Sequence, residues 1–175
     1  MVSRIRLAWW REALEKLDLA PPPAEPVLQS LAAHALPRGV NGAELAAMEE
    51  GWAELLSEEA LGEVALGAYA AARGGQLFRL SARLLGGNEE MAGQAGARWA
   101  LVDLARRSSN PVEAAAACDL ARKGEAESVL NGKLRPLGML DLLAKRDLNR
   151  RDASWERQGS PARMARLLAY QLTGR

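Results

Sequence analysis

Few side chains in this sequence have the type and spacing that chemistry needs. Glu50 and Glu54 stand one helical turn apart, a separation that puts two carboxylates on one face and lets them share a divalent cation. The same spacing also makes an ordinary solvated acidic face opposite Met48 and Trp52, which is the plainer expectation. The single histidine, His34, has no second ligand or base accompanying it, so a surface or satisfied core position is expected. Cys118, the one cysteine, lies in AAAACDLAR; it excludes an internal disulfide and a multi-cysteine metal site, and it suits a small buried role better than a nucleophilic one. Gly74 and Gly75 do not make a phosphate loop, because no strand precedes them and no Lys-Ser/Thr pair follows. The remaining stretch is GQAGARWALVDLARRSSNP, Gly93 to Pro111, a buried-looking helix that ends in Asp103, Arg106 and Arg107.

The elements around that stretch are marked by clear punctuation. Ile5, Leu7, Trp9, Trp10, Ala13, Leu14 and Leu17 recur on a helical period until Pro21, Pro22 and Pro23 end the segment. A helix so apolar at the start of the sequence wants cover, so self-association through it, with Trp9 and Trp10 at the contact, is expected. Pro26 opens a second helix that Pro37 stops. Asn41 with Glu44 has the form of a capping box for a third helix through Leu45, Met48, Trp52 and Leu55. Ser57 caps a segment from Glu58 to Leu85, in which Gly62, Gly67, Gly74 and Gly75 need a reason to exist: a close neighbouring helix, a kink, or room for a ligand. Asn88 caps the central helix, Asn110 with Pro111 and Glu113 opens the next, Pro136 to about Asp147 is amphipathic, and Ser160 with Pro161 opens the last. Asn149 to Gly159 reads as a polar loop around Trp155. The count is about eight helices and no strands, an all-α single-domain bundle over residues 1–175.

Composition agrees. Of 175 residues 49% are hydrophobic and only 5% aromatic, with alanine and leucine dominating and β-branched residues too scattered to build a sheet. A net charge of +1 gives no global pull toward nucleic acid, and no aromatics are interleaved with the basic residues as single-strand binding favours. The distribution is uneven, with residues 105–175 at +6 and the remainder at −5. Solvated basic helix faces account for this; the sharper alternative is a docking surface for an acidic partner or anionic head groups. No apolar run reaches membrane-spanning length, and Arg4, Arg6 and Arg11 break up any secretory signal. A cytoplasmic, bacterial-type protein, or one peripheral to a membrane, is expected.

RLAWWREAL, the run YAAARGG from Tyr69 to Gly75, LFRLSARLLG and GARWALVDLARR follow one another as corresponding pieces do in the squalene/phytoene synthase family. The chain resembles that family over roughly residues 4–111, and RPLGMLDLLAKRD is similar too. The resemblance implies the all-α isoprenoid synthase fold and head-to-head condensation of prenyl diphosphates. In that chemistry two Asp-x-x-x-Asp motifs on facing helices hold Mg2+, which grips the diphosphates, and an apolar cavity shields the carbocation.

The pattern breaks at both motifs. The first belongs ahead of RLAWWREAL, where this sequence has no place for it. For the second, setting Gly96 on the family's glycine puts Ala100 on its glutamine, Asp103 on its asparagine and Arg106 on its arginine, while Arg107 and Pro111 fall on the two metal-binding aspartates. Arginine there repels the cation a carboxylate would recruit. The expectation is therefore a catalytically degenerate member, with no catalytic residue, metal or cofactor, similar to the non-catalytic branch that includes an assembly factor of respiratory complex I. Its partner would be a protein or an apolar prenyl or lipid chain near Tyr69, Gly74 and Gly75, with Asp103, Arg106 and Arg107 beside it; the two arginines could clamp an anion without metal, or simply favour a helix C-terminus. The alternatives are a Mg2+-dependent prenyltransferase whose first motif lies upstream of this sequence, and a helical interaction module with a filled interior.

Overall fold

Capping groups set where most of the helices begin. In the computed structural model, which describes residues 2–56, 60–124, 130, 132–150 and 155–174, the Glu44 amide donates to Asn41 at 2.7 Å and the Asn41 amide donates to Glu44 at 3.1 Å, the reciprocal pairing expected. Asn88, Asn110 and Ser160 accept from the amides of Met91, Val112 and Arg163, each satisfying a donor that the first helical turn cannot. Glu25 adds a cap that was not expected, accepting from the Leu28 amide ahead of Pro26. Ser57, the expected cap of the glycine-containing segment, lies outside the described residues; the helix there starts at Glu63, after extended Gly62.

The helices are α1 (Val2–Lys16), α2 (Pro26–His34), α3 (Gly42–Ala46), α4 (Met48–Glu54), α5 (Glu63–Tyr69), α6 (Gln76–Leu85), α7 (Glu89–Arg107), α8 (Pro111–Lys123), α9 (Arg135–Leu148) and α10 (Pro161–Thr173). Only Ala47 separates α3 from α4, and α5 runs into α6 through one π-helical stretch, Ala70–Gly75. The outcome is the eight rods read from the sequence, with no strand among the described residues. The π stretch is the unexpected feature. Such insertions re-aim a helix and concentrate at functional positions, and this one carries AAARGG, directly after Tyr69.

α7 is the axis of the bundle, packing against the π stretch, α6, α8 and α9. Leu101, Val102 and Ala105 of α7 meet Leu66 of α5, Ala117 and Ala121 of α8 and Ala144 and Leu148 of α9 in one apolar cluster. A second joins Ala92 and Ala95 to Phe78, Ala82, Leu130, Leu134 and Leu137. The third fixes α1 through Ala13, Leu14 and Leu17 against Leu28, Leu45 and Leu80. Trp10 packs on this third cluster, while Ile5 and Trp9 stay 65% and 47% exposed. The glycines of the π stretch serve the crossing with α7: a Cβ on Gly74 would overlap the carbonyl oxygen of Gly96, and one on Gly96 that of Gly74. Of the reasons offered for these glycines, close helix approach is the one found at Gly74, and Gly75 lies at ordinary contact distance from Gly93.

Candidate functional site

The π stretch turns Arg73 into the interior, a residue to which the sequence assigned no role. Its guanidinium carbon lies 4.8 Å from the Trp52 ring centre, 5.8 Å from that of Tyr69 and 4.7 Å from that of Trp99. Three aromatic faces thus supply much of what water would give a cation. Arg73 Nη2 donates to Asp103 Oδ2 at 3.3 Å, while Nε and Nη1 are buried without an acceptor. The other Asp103 oxygen accepts from Arg107 Nε at 3.0 Å. One carboxylate therefore sits between two guanidiniums. Tyr69 and Arg73, like Trp99, Asp103 and Arg107, are spaced by four residues along their helices, so each set shares a face. That spacing was the available signal; what it lacked was any hint that the two helices bring those faces together.

A cavity of about 580 Å3 opens beside this group, with Leu55, Leu61 and Leu104 as apolar wall and Tyr69, Asp103 and Arg107 among the polar lining. Tyr69 is 2% exposed, and burial raises its phenol above the usual tyrosine range, against a smaller lowering by Arg73, so it stays protonated at neutral pH. Glu113, the other acidic group of the cavity, accepts from the Ser108 hydroxyl. This arrangement can hold an apolar body with a polar or anionic end.

The residues do not fit the Mg2+ that the resemblance would bring. α7 ends at Arg107 and Pro111 is the first residue of α8, so the two positions that would carry the second motif do not even share a helix. The adjacent carboxylate, Asp103, is already neutralised, and among the described residues no group of three or more His, Cys, Asp or Glu side chains could hold a metal.

Of the expected site residues, Tyr69, Asp103 and Arg107 are brought together. Gly74 and Gly75 are not; they are buried in the helix crossing and line neither this cavity nor a second one on the other side of α7, between α7, α9 and α10. Arg106 points to that other side, where Nη1 donates to Asp147 at 2.9 Å, Nη2 to the Glu156 carbonyl at 2.7 Å, and the guanidinium lies 5.1 Å from the Trp155 ring centre. There it is a buried structural cation rather than a free clamp. The C-terminal third does expose basic residues such as Lys123, Arg157 and Arg166, but Arg163 departs from that expectation: it is buried and paired with Asp147 at 2.6 Å, and Asp141 is buried against Arg98 at 2.8 Å. Periodicity hides such pairs because each partner alone looks like a surface residue. Of the loop around Trp155, residues 151–154 lie outside the described residues.

The other candidates take the plainer roles. Glu50 is exposed, with Arg11 3.7 Å away; His34 is exposed at the end of α2; Cys118 is half-buried and its thiol is raised by burial, the opposite of an activated nucleophile. No helix among the described residues is long and apolar enough to cross a membrane. Fold and site together define an all-α bundle with an arginine-centred aromatic cage and a flanking cavity. Comparison with protein-family models, with curated proteins and with solved structures yields no match to this chain.

Proposed function

We propose that this chain is a catalytically degenerate relative of the squalene/phytoene synthases that works by binding, in a scaffolding or assembly role, and that the cavity over Tyr69 and Arg73 holds an apolar prenyl or lipid chain. The observation that carries this reading is the absence of a free carboxylate around Arg107. Arg107 and Pro111 stand where the resemblance puts the metal-binding aspartates, and Asp103, the adjacent carboxylate, is clamped between Arg73 and Arg107 at 3.3 and 3.0 Å. Without the cation no diphosphate is drawn off, but the Arg107 guanidinium at the cavity rim can still hold an anionic end group.

The exposed face of α10 supports a larger partner as well. Met164, Leu168 and Leu172 of α10 are exposed one turn apart, and the segment from Arg157 to Arg175 contains four arginines and no acidic residue. An apolar row beside the exposed Arg157 and Arg166 suits an acidic protein partner or the face of an anionic membrane.

Incubation with farnesyl or geranylgeranyl diphosphate and Mg2+ tests the reading. The expected result is no diphosphate release above a protein-free control, together with saturable binding of the prenyl compound that Leu104→Trp weakens by filling the cavity. Mg2+-dependent release at enzyme-like turnover overturns it.

A further inference from the structure

On the far side of α7 a second cavity of about 240 Å3 lies between α7, α9 and α10, sharing only Asp103 with the first. Trp99, Leu140, Leu143 and Ala144 form its apolar wall. At its polar end Asp147 accepts from both Arg106, at 2.9 Å, and Arg163, at 2.6 Å. All three side chains are buried or nearly so, at 1%, 11% and 6% exposure for Asp147, Arg106 and Arg163. Two guanidiniums on one carboxylate leave one positive charge over in a low-dielectric setting, an arrangement that costs free energy until an anion completes it. Asp103, the remaining charged group of the lining, does not complete it, because Arg73 and Arg107 already hold it. Arg106 is satisfied by Asp147 and the Glu156 carbonyl. Arg163 is not: Asp147 is its one acceptor among the described residues, and its Nε is buried with none.

We propose that this cavity is a binding site for a small organic monoanion, a carboxylate whose oxygens are taken by Arg163 and whose compact apolar body lies against Trp99, Leu140 and Leu143. With Nη1 taken by Asp147 and Nε closed off by packing, Nη2 is the Arg163 donor left to meet a carboxylate. The single uncompensated charge favours a monoanion over a phosphate dianion, which would replace an excess of one sign by an excess of the other. The volume is below the roughly 300–1,000 Å3 typical of pockets for drug-sized ligands, so the body is a ring or a short branched chain. A prenyl chain is too long for it.

Isothermal titration of the full chain with acetate, isobutyrate and benzoate, alongside benzamide and inorganic phosphate, tests the assignment. The expected result is saturable one-to-one binding of at least one of the two larger carboxylates, with benzamide and phosphate at least tenfold weaker and Arg163→Gln at least tenfold weaker for the carboxylate. Arg163→Gln also disturbs Asp147 and can unfold the chain, so Leu140→Trp, which fills the cavity and leaves the ion network intact, is the second variant and is expected to lose binding at unchanged melting temperature. Absence of saturation with all three carboxylates overturns the assignment. Equal binding of benzamide or phosphate does so too, as does full retention of carboxylate binding by a folded Arg163→Gln or by Leu140→Trp. Neither outcome depends on prenyl binding at the first cavity, which Leu140 and Arg163 do not line.

Discussion

The two sides of α7 are held by opposite means. Toward the π stretch it presents Gly93, Gly96 and Ala100, and the contact with Gly74 is so close that backbone meets backbone. Toward α9 it presents Arg98 and Arg106, joined by ion pairs to Asp141 and Asp147; on the π-stretch side charge enters only past Ala100, where Asp103 pairs with Arg73. The first side works by having no side chain to spare; the second by placing long charged side chains so that each has a partner. Contact without side chains leaves no room for a ligand, whereas guanidiniums hold helices apart and leave cavities between them. That difference explains why, of Tyr69, Gly74 and Gly75, near which a pocket was expected, only Tyr69 lines the cavity.

Substitutions on the two sides sharpen the contrast. Asp147→Ala strands two buried guanidiniums, Arg106 and Arg163, and is expected to cost about 3–5 kcal/mol in urea denaturation; a loss below about 1 kcal/mol would mean that the pairs are solvated. Gly96→Ala forces a methyl group into the Gly74 carbonyl and toward Phe78, an overpacking expected to cost about 1–3 kcal/mol. Gly67→Ala provides the control on α5, in the rod that α7 crosses, since nothing lies within 4 Å of an added Cβ there. It should gain about 0.8–1 kcal/mol through helix propensity alone. If Gly67→Ala and Gly96→Ala shift the denaturation midpoint alike, the close crossing is not formed in solution.

Two smaller effects probe the periphery. The Glu156 carboxyl is pulled from its ordinary 4.5 down to about 2, first by its hydrogen bond with Arg146 and next by that with Ser160. A carboxyl lowered on folding adds stability that is complete above its unfolded value and is lost as pH falls. Glu156→Gln should therefore flatten the decline in melting temperature between about pH 4.5 and 2; an unchanged acid limb would assign that decline to other carboxylates. Trp9, left 47% exposed on α1, is the remaining handle on self-association. Trp9→Ser should weaken any dimer seen by sedimentation, and a wild-type chain that stays monomeric at high concentration removes the proposal.

The sequence determined the helices and their starts, because caps and apolar periods act over a few residues and need no distant partner: Asn41 with Glu44, Asn88, Asn110 and Ser160 all do locally what their positions announce. It also placed Tyr69, Asp103 and Arg107 at one site through resemblance rather than through physics. Tertiary structure alone decided the rest. Whether Arg73 faces solvent or three aromatic rings depends on an extra residue wound into one turn, and whether Arg163 is a surface charge or a buried one depends on Asp147, 16 positions away. A charged side chain carries no mark of its partner in the chain; only packing brings the two together and removes the water between them.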